Sequence, residues 1–343
     1  MNSIEKTLKE LSQVMAAHRR ALAMDGAPAP IPAPVFEPAP AFALDDPRAA
    51  AVHGLMHDVQ RIAGIQVSDV LEQKIVRLFA ETGADELDSW IRHLRLVPDD
   101  HPQWQALVES LTVHETYFHR DRPQLDYLAN TALPAIIEHV RRTGRRSIRI
   151  WSAGCATGEE AFSLAIIALD AMVRAGCADE LTNSGIHLRR GWSIDVLGTD
   201  ISETALRRAK HAEYSTGSLS SFRDLPQDLI RFFPAVEFAR SGGTLEPSLR
   251  RVRDDVRRIV RFRPFNLIAS EPPEFGFDII ACRNVMIYLA PSAARTVQQV
   301  LHDALRPGGY LLLGPTDSLA RPSHYEMVAG TSTLVHRRRE MPE

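Results

Sequence analysis

Hydrophobic residues follow two different spacings along the chain, and the change between them divides it. From residue 51 to about residue 112, apolar positions recur every three or four residues, as in GLMHDVQRIAG and ELDSWIRHLRLV. From Leu133 onward, short runs of consecutive apolar residues alternate with helical patterns. The first spacing predicts a small all-helical domain, and the second predicts an α/β domain with a parallel sheet flanked by helices.

Four apolar runs are the predicted strands of that sheet: IRIWSA, SIDVLGTD, FDIIAC and GYLLLG. Helices are predicted from Glu159 to Arg174, from Glu203 to His211 and from about Pro291 to Leu305. The stretch 176–191 is interpreted as an inserted loop. Short β-prone pieces around Gly242 and Gly243 interrupt the alternation and predict a small inserted β-subdomain at about 225–262.

The two segments before the helical domain differ from the rest of the chain. Residues 1–25 place apolar side chains on one helical stripe, which predicts an amphipathic helix that either docks a partner or is a terminal helix without a role. Residues 26–50 are rich in proline and alanine, a composition typical of an extended, semi-rigid linker. The predicted domains are therefore 1–25, 26–50, 51–125 and 126–338.

Composition narrows the class of protein. The chain has 343 residues, 45% of them hydrophobic, but no run of about 18 apolar residues that would span a membrane. Its three cysteines share no metal-ligand spacing, which predicts no metal site and favours a reducing compartment. Because the N-terminus also lacks the apolar stretch of a signal peptide, we expect a cytoplasmic protein. A net charge of −3 argues against a nucleic-acid partner.

The loop Gly154–Glu160 follows the first strand and leads directly into a helix. Its small residues allow a ligand to approach the backbone closely, although an ordinary strand-to-helix turn has the same composition. The loop has neither the GxxxxGK[ST] nor the GxGxxG spacing of nucleotide-binding loops. Glu159 and Glu160 would repel a phosphate and favour a cationic ligand.

Polar residues follow the other strands, at the sheet edge where ligands of open α/β folds bind. Asp200 ends the second strand and is placed to accept the hydroxyls of a ribose. The alternative is that it caps the next helix, but Ser202 is better placed for that role. Arg283 and Asn284 follow FDIIAC, and Tyr288 lies about one turn later, where it either faces the same cleft or packs in the core.

The segment HETYFHRD precedes the sheet and combines charged, polar and aromatic residues. It contains His114, Thr116, Arg120 and Asp121. Such a segment at a domain junction either covers a cofactor pocket or forms a linker helix with a solvated charged face.

Together these segments resemble the CheR-type chemotaxis protein methyltransferases, which methylate glutamate side chains of chemoreceptors with S-adenosylmethionine. The resemblance covers roughly residues 54–319 and rests on TYFHRD, WSAGCATGEEAFSLAI, VLGTDIS, FNL, CRNVMIYL and LRPGGYLLLG in that order. It implies a Rossmann-like class I methyltransferase domain with an inserted small β-subdomain, preceded by a small all-α domain.

The resemblance also assigns roles to residues. It implies that Arg120 and Tyr288 line the methyl-transfer site, that Glu160 contacts the amino group of the cofactor and that Asp200 holds its ribose. The full set of implied cofactor-binding residues is His114, Thr116, Arg120, Glu160, Asp200, Asn266, Leu267, Arg283 and Asn284. The implied partner is the cytoplasmic coiled coil of a chemoreceptor, docked through basic residues of the helical domain, for which Lys74, Arg77, Arg92 and Arg95 are the candidates.

The chain departs from the family pattern at several positions. His114 stands at a family asparagine, His119 replaces the usual phenylalanine, Ala161 replaces a proline, and GPTDSL replaces a GHSE-like ending at Gly314. Two other functions therefore stay open: a related methyltransferase acting on a different protein or a small molecule, and a noncatalytic module that binds S-adenosylmethionine or its product. Retention of both Arg120 and Tyr288 disfavours the noncatalytic module.

Overall fold

A computed structural model describes residues 46–181, 185–217, 221–241, 244–328 and 335–340. The predicted N-terminal helix, 1–25, and residues 26–45 of the predicted linker, 26–50, lie outside these residues. The last two residues predicted as linker, Ala49 and Ala50, are already helical. The chain divides into two compact units, 1–113 and 114–343. This division comes before the boundary at 125 predicted from sequence, so the segment HETYFHRD belongs to the second unit.

The first unit is helical, as the apolar spacing predicts. Its helices are α1 (Ala49–Ala63), α2 (Asp69–Leu78), α3 (Ala84–Leu94) and α4 (Pro102–Leu111). Helix α1 ends at Gly64, whose φ of 73° is the left-handed conformation that glycine adopts easily. Helix α2 begins after Ser68, whose side chain accepts a hydrogen bond from the Leu71 amide. Apolar faces of all four helices, including Leu55, Ile75, Trp90 and Trp104, form one core.

The second unit is a mixed sheet with flanking helices. Its helices are α5 (Arg122–Tyr127), α6 (Leu133–Arg142), α7 (Glu159–Arg174), α8 (Glu203–His211), α9 (Asp254–Arg257) and α10 (Pro291–Ala304). Its strands are β1 (Ser147–Ala153), β2 (Ala178–Leu181), β3 (Gly185–Leu188), β4 (Ser193–Asp200), β5 (Glu213–Ser215), β6 (Ala235–Ser241), β7 (Thr244–Arg251), β8 (Val260–Pro264), β9 (Phe277–Cys282), β10 (Leu305–Leu313), β11 (Tyr325–Met327) and β12 (Val335–Arg338).

The main sheet has the order β11-β12-β10-β9-β1-β4-β8. Neighbours from β10 through β8 are parallel, whereas β12 is antiparallel to both β10 and β11. Strand β9 is buried along its whole length, because helices cover both faces of a parallel sheet. The chain leaves β1 toward β4 on one side and reaches β9 on the other, which creates a switch point at the carboxyl ends of β1, β4 and β9. The predicted Rossmann-like class I fold is confirmed.

Two details of the prediction needed correction. The stretch 176–191, interpreted as a loop, contains a two-stranded antiparallel hairpin of β2 and β3. Asp255 holds this hairpin because its carboxylate accepts the Ile186 amide at 2.6 Å. The small β-subdomain exists as a three-stranded sheet of order β5-β7-β6, but it runs from Glu213 to Arg251, so it begins and ends earlier than predicted. Strand β8, whose first residues fall within the predicted subdomain, pairs with β4 in the main sheet.

Candidate functional site

The loop after β1 is held against the end of β4 by main-chain hydrogen bonds. The amides of Gly154 and Cys155 both donate to the Thr199 carbonyl at 2.8 Å. Gly154 and Gly158 have φ values of 81° and 97°, which residues with a Cβ rarely adopt. A Cβ on Gly154 would also lie 2.5 Å from Cγ2 of Val285. Both conformation and packing therefore require glycine at position 154.

Asp200 ends β4 and joins this loop to the next helix. Its Oδ2 accepts the Ala156 amide at 2.8 Å, and its Oδ1 accepts the Ser202 amide at 2.9 Å. The Ser202 hydroxyl caps α8 by accepting the Ala205 amide, so the capping role falls to Ser202 as the sequence predicts. His114 Nε2 lies 3.9 Å from Asp200 Oδ1. Each carboxylate oxygen has two lone pairs, so Asp200 keeps acceptor capacity for a ligand.

Glu160, in the first turn of α7, is paired with Arg283 at the end of β9. Arg283 Nη1 lies 3.3 Å from Glu160 Oε2, and the Ser152 hydroxyl donates to Glu160 Oε1 at 2.7 Å. Burial raises the pKa of Glu160, and the nearby Arg283 charge opposes that rise. Glu160 is thus a carboxylate kept close to a guanidinium in a site that water barely reaches.

Arg283 also fixes the segment that carries Arg120. Its Nη2 donates to the Arg120 carbonyl and lies 3.0 Å from the Asp121 carboxylate. The Arg283 side chain is only 2% exposed, so these charged partners take the place of water. One arginine therefore joins Glu160 to the adjacent residues Arg120 and Asp121, which lie about 40 positions earlier in the chain.

Glu159 does not face the site, contrary to the expectation that both glutamates would. Its Oε2 accepts the Thr157 hydroxyl at 2.6 Å, and its Oε1 accepts the Ser221 hydroxyl at 2.7 Å. It is buried, and burial raises the pKa of its carboxyl. Two partners within the protein satisfy Glu159, because successive helix positions point about 100° apart. Glu160 alone is left near the predicted cofactor.

The segment HETYFHRD is irregular, so the alternative of a linker helix is wrong. His119 and Asp121 have φ values of 61° and 53°. The Phe118 amide donates to the Ser221 carbonyl at 2.8 Å, and the His119 amide donates to the Ser163 hydroxyl at 3.0 Å. Phe118 is fully buried, and burial lowers the pKa of His119. These two hydrogen bonds, the burial of Phe118 and the two left-handed residues hold the segment in one path across the sheet edge.

Arg120 and Tyr288, the predicted methyl-transfer residues, both reach the surface. Arg120 Nη1 donates to the Glu115 carbonyl at 3.0 Å, and its guanidinium carbon lies 5.6 Å from the centre of the Tyr117 ring. Tyr288 lies in the 3₁₀ turn Met286–Tyr288 and is 43% exposed. The alternative that Tyr288 packs in the core is therefore wrong.

The remaining predicted cofactor residues border the same end of the sheet. Asn284 directly follows Arg283 and has a φ of 59°, while Asn266 lies just beyond β8 and its side chain accepts the Ile268 amide at 3.2 Å. Leu267 is buried and Thr116 is half-buried. In the part of the chain that the structure describes, the buried Asn284 Oδ1 has no hydrogen-bond partner. An unsatisfied buried acceptor is costly, so this atom fits a ligand that donates a hydrogen bond.

Two residues of the site were not on the predicted list. Ser152 holds Glu160, and Asp121 pairs with Arg283. Ser152 is a polar residue at the end of a strand that is otherwise mostly apolar, which is a usable signal. Asp121 is singled out in the sequence only as part of the segment HETYFHRD, without a role of its own.

Other chemistries find little support here. Cys155 and Cys282 are buried, and burial raises the pKa of both thiols, so neither is an activated nucleophile. Over the described ranges, no three His, Cys, Asp or Glu side chains are grouped so as to hold a metal ion. A helix long and apolar enough to cross a membrane is also absent from those ranges.

Comparisons with known proteins agree with the arrangement. The family model of the CheR methyltransferase, SAM binding domain, matches residues 114–334. Chemotaxis protein methyltransferase 1 of Pseudomonas aeruginosa is 34% identical over 235 residues, 68% of this chain and 77% of that protein. Chemotaxis protein methyltransferase Cher2 of Pseudomonas putida is 29% identical over 269 residues, 78% of this chain and 88% of that protein. Chemotaxis protein methyltransferase of Vibrio parahaemolyticus is 33% identical, covering 68% and 75%.

Proposed function

The chain belongs to the CheR methyltransferase family, with an S-adenosylmethionine-binding domain, and from this premise we propose that it methylates glutamate side chains of chemoreceptors. The products are glutamate γ-methyl esters. The observation that carries the proposal is the position of Arg283, which holds Glu160 of the cofactor loop and the main chain of Arg120 together. One buried side chain thus positions both Glu160, proposed to bind the cofactor, and Arg120, proposed to bind the substrate.

The site fits the family's cofactor. When bound, S-adenosylmethionine supplies a methyl group on a positively charged sulfur that leaves as a neutral thioether. Glu160 would hold its ammonium group, Asp200 would accept from its ribose, and Asn284 Oδ1 would accept a hydrogen bond that no described residue supplies. The other residues proposed to frame the cofactor are His114, Thr116, Asn266, Leu267, Arg120 and Arg283.

The substrate carboxylate makes small demands on the protein. Glutamate is ionised at neutral pH, so no general base has to remove a proton before it attacks. The task of the chain is to position that oxygen in line with the methyl group, which Arg120 does by attracting the carboxylate. We propose that the hydroxyl of Tyr288, whose side chain is exposed, donates a hydrogen bond that orients this carboxylate.

The protein partner in this proposal is the cytoplasmic coiled coil of a chemoreceptor, which places the enzyme in the cytoplasm. Basic side chains of the helical unit are proposed to dock it. Lys74 is less available than expected, because its ammonium donates to the Leu111 carbonyl at 2.6 Å and burial lowers its pKa. Arg77 is exposed, and Arg92 and Arg95 form surface pairs with aspartates that contribute little to stability. These three arginines are the better docking candidates.

The test is methyl transfer from radiolabelled S-adenosylmethionine to receptor-containing membranes, followed by base treatment. Methyl esters release methanol in base and N-methyl groups do not. Arg120→Ala is expected to lose transfer, while Arg122→Ala is the matched control, because Arg122 is an exposed neighbour paired with Asp126. Transfer by Arg120→Ala at the wild-type rate, or label that resists base, would overturn the proposal.

A further inference from the structure

Four side chains at the mouth of the site form a charged surface cluster: Glu115, Tyr117, Arg120 and Arg223. We name it the Tyr117 cluster. The guanidinium carbon of Arg223 lies 3.9 Å from the centre of the Tyr117 ring, and that of Arg120 lies 5.6 Å from it. Both distances are within the range of cation–π attraction. One aromatic ring therefore holds two positive charges beside the proposed transfer site.

A carboxylate of the chain itself already lies on this cluster. Arg223 Nη2 is 3.1 Å from Glu115 Oε1, and the Glu115 side chain is 70% exposed whereas that of Arg223 is 25% exposed. Such an exposed pair adds little to stability and exchanges readily with other anions. The Glu115 pair therefore shows that Arg223 can bind a carboxylate in an exposed position, from which that carboxylate can exchange.

Arg120 contacts the same residue in a different way. Its Nη1 donates to the main-chain carbonyl of Glu115, not to the carboxylate. The Glu115 side chain can therefore leave Arg223 without disturbing the bond that fixes Arg120. Arg120 is thus held independently of the Glu115 carboxylate, and a substrate carboxylate can exchange with that of Glu115 on Arg223.

We propose that Arg223 and Tyr117 form a subsite for a second carboxylate of the protein substrate, one close to the glutamate that is methylated, and that Glu115 competes with it. The inference rests on the proposed function, because it names a requirement of the same acidic substrate. Charges closer than about 8 Å are only partly screened at physiological salt, so two arginines attract an acidic segment more strongly than one does.

Two substitutions are expected to act in opposite directions. Arg223→Ala removes the cation and is expected to raise KM for an acidic protein substrate about threefold to tenfold, with kcat nearly unchanged. Glu115→Gln removes the competing charge and is expected to lower KM about twofold. In the Arg223→Ala background, Glu115→Gln is expected to have no further effect on KM. A role in folding alone would not give opposite signs.

A binding measurement makes the test independent of turnover. Hexaglutamate is titrated into the full chain, with S-adenosylhomocysteine present, at two salt concentrations. Arg223→Ala is expected to weaken binding and its salt dependence, and Glu115→Gln to strengthen binding. Arg231→Ala is the matched control, because Arg231 also lies over an aromatic ring, 4.5 Å from the centre of Phe232, and pairs with Asp170 at 2.9 Å. Thermal melts of all variants establish that they are folded.

The outcomes separate this inference from the proposed function. If the wild-type protein methylates no receptor glutamate, the proposed function fails, and hexaglutamate binding still decides whether the subsite accepts carboxylates. If receptors are methylated but Arg223→Ala and Glu115→Gln leave KM and hexaglutamate binding unchanged, or change them in the same direction, the subsite is refuted. An equal loss of binding in Arg231→Ala would also refute it, because the effect would then come from net charge.

Discussion

Arg283 is the residue whose removal should disturb the site most, and Arg283→Met tests this. Methionine is also unbranched and flexible, and it fills apolar space without a charge although it is shorter than arginine. The substitution removes the partner of Glu160 and the donor to the Arg120 carbonyl. Asp121, the third partner, has a side chain that is 33% exposed, so water replaces part of what it loses.

The cost comes mainly from Glu160. Breaking a buried ion pair by removing one partner typically costs about 3–5 kcal/mol, because the other charge stays buried. The Arg283 side chain is almost fully buried, so solvent screens the pair little. We therefore expect Arg283→Met to lower the free energy of unfolding by about 3 kcal/mol at pH 8, the lower end of that range.

The loss should depend on pH in a defined direction. Burial already raises the pKa of Glu160, and Arg283 is the strongest influence that lowers it. Without Arg283, the folded-state pKa lies still further above the unfolded value of about 4.3. The folded state then binds the proton more tightly than the unfolded state, so the penalty is absent below the unfolded pKa and grows as pH rises toward the folded pKa. The variant should lose less stability at pH 5 than at pH 8.

The assay is urea unfolding at pH 5 and pH 8, combined with calorimetric titration of S-adenosylhomocysteine. The double variant Arg283→Met/Glu160→Gln should recover stability at pH 8, because no buried charge remains, but should not recover ligand affinity. A loss of less than about 1 kcal/mol in the single variant, with the wild-type dependence on pH, would contradict the reasoning. Recovery of affinity in the double variant would show that Glu160 does not bind the ligand.

Two further comparisons separate neighbouring residues. Gly154→Ala should reduce affinity for S-adenosylhomocysteine at least tenfold, because the new Cβ displaces Val285. Gly144 has a similar φ of 74° with open space around it, so Gly144→Ala should lower stability only by the backbone strain of about 1–2 kcal/mol. Equal effects of the two variants in thermal melts and titrations would remove the packing argument. Glu159→Gln should keep the affinity for S-adenosylhomocysteine within about twofold, whereas Glu160→Gln should lower that affinity about tenfold. Glu159→Gln should also make stability less dependent on pH above 5, because the raised pKa of Glu159 makes its ionised form costly in the folded state. A larger loss of affinity in Glu159→Gln than in Glu160→Gln would exchange their roles.

Four strands of the main sheet, β1, β4, β9 and β10, and the helices α7, α8 and α10 could be predicted from sequence. Helix α7 runs from Glu159 to Arg174 and α8 from Glu203 to His211, as the apolar spacing indicated. Their ends carry local signals, such as the Ser202 cap and the glycine turn before Glu159. The hairpin at 178–188 was missed because its pairing depends on Asp255, a residue distant in sequence that accepts the Ile186 amide.

The sequence provides candidate site residues but not the contacts between them. Strand ends marked Asp200, Arg283 and Asn284, since a parallel sheet gathers its carboxyl ends along one edge. The pairing of Arg283 with Asp121 depends on two left-handed residues, His119 and Asp121, in a segment with no regular spacing. No periodicity specifies such a path, because it is set by burial of Phe118 and by hydrogen bonds to distant residues.

The two adjacent glutamates show what sequence alone leaves undecided. Both precede an apolar helix face and both gain from the helix N-terminus, so composition treats them alike. Their partners make them different: hydroxyls hold Glu159 in the interior, whereas Glu160 has Ser152 and the cation Arg283. A cationic ligand approaching Glu160 therefore meets a carboxylate whose charge is already partly balanced. We infer that the ammonium group and Arg283 share the Glu160 carboxylate, which ties ligand binding to the residue that also holds Arg120.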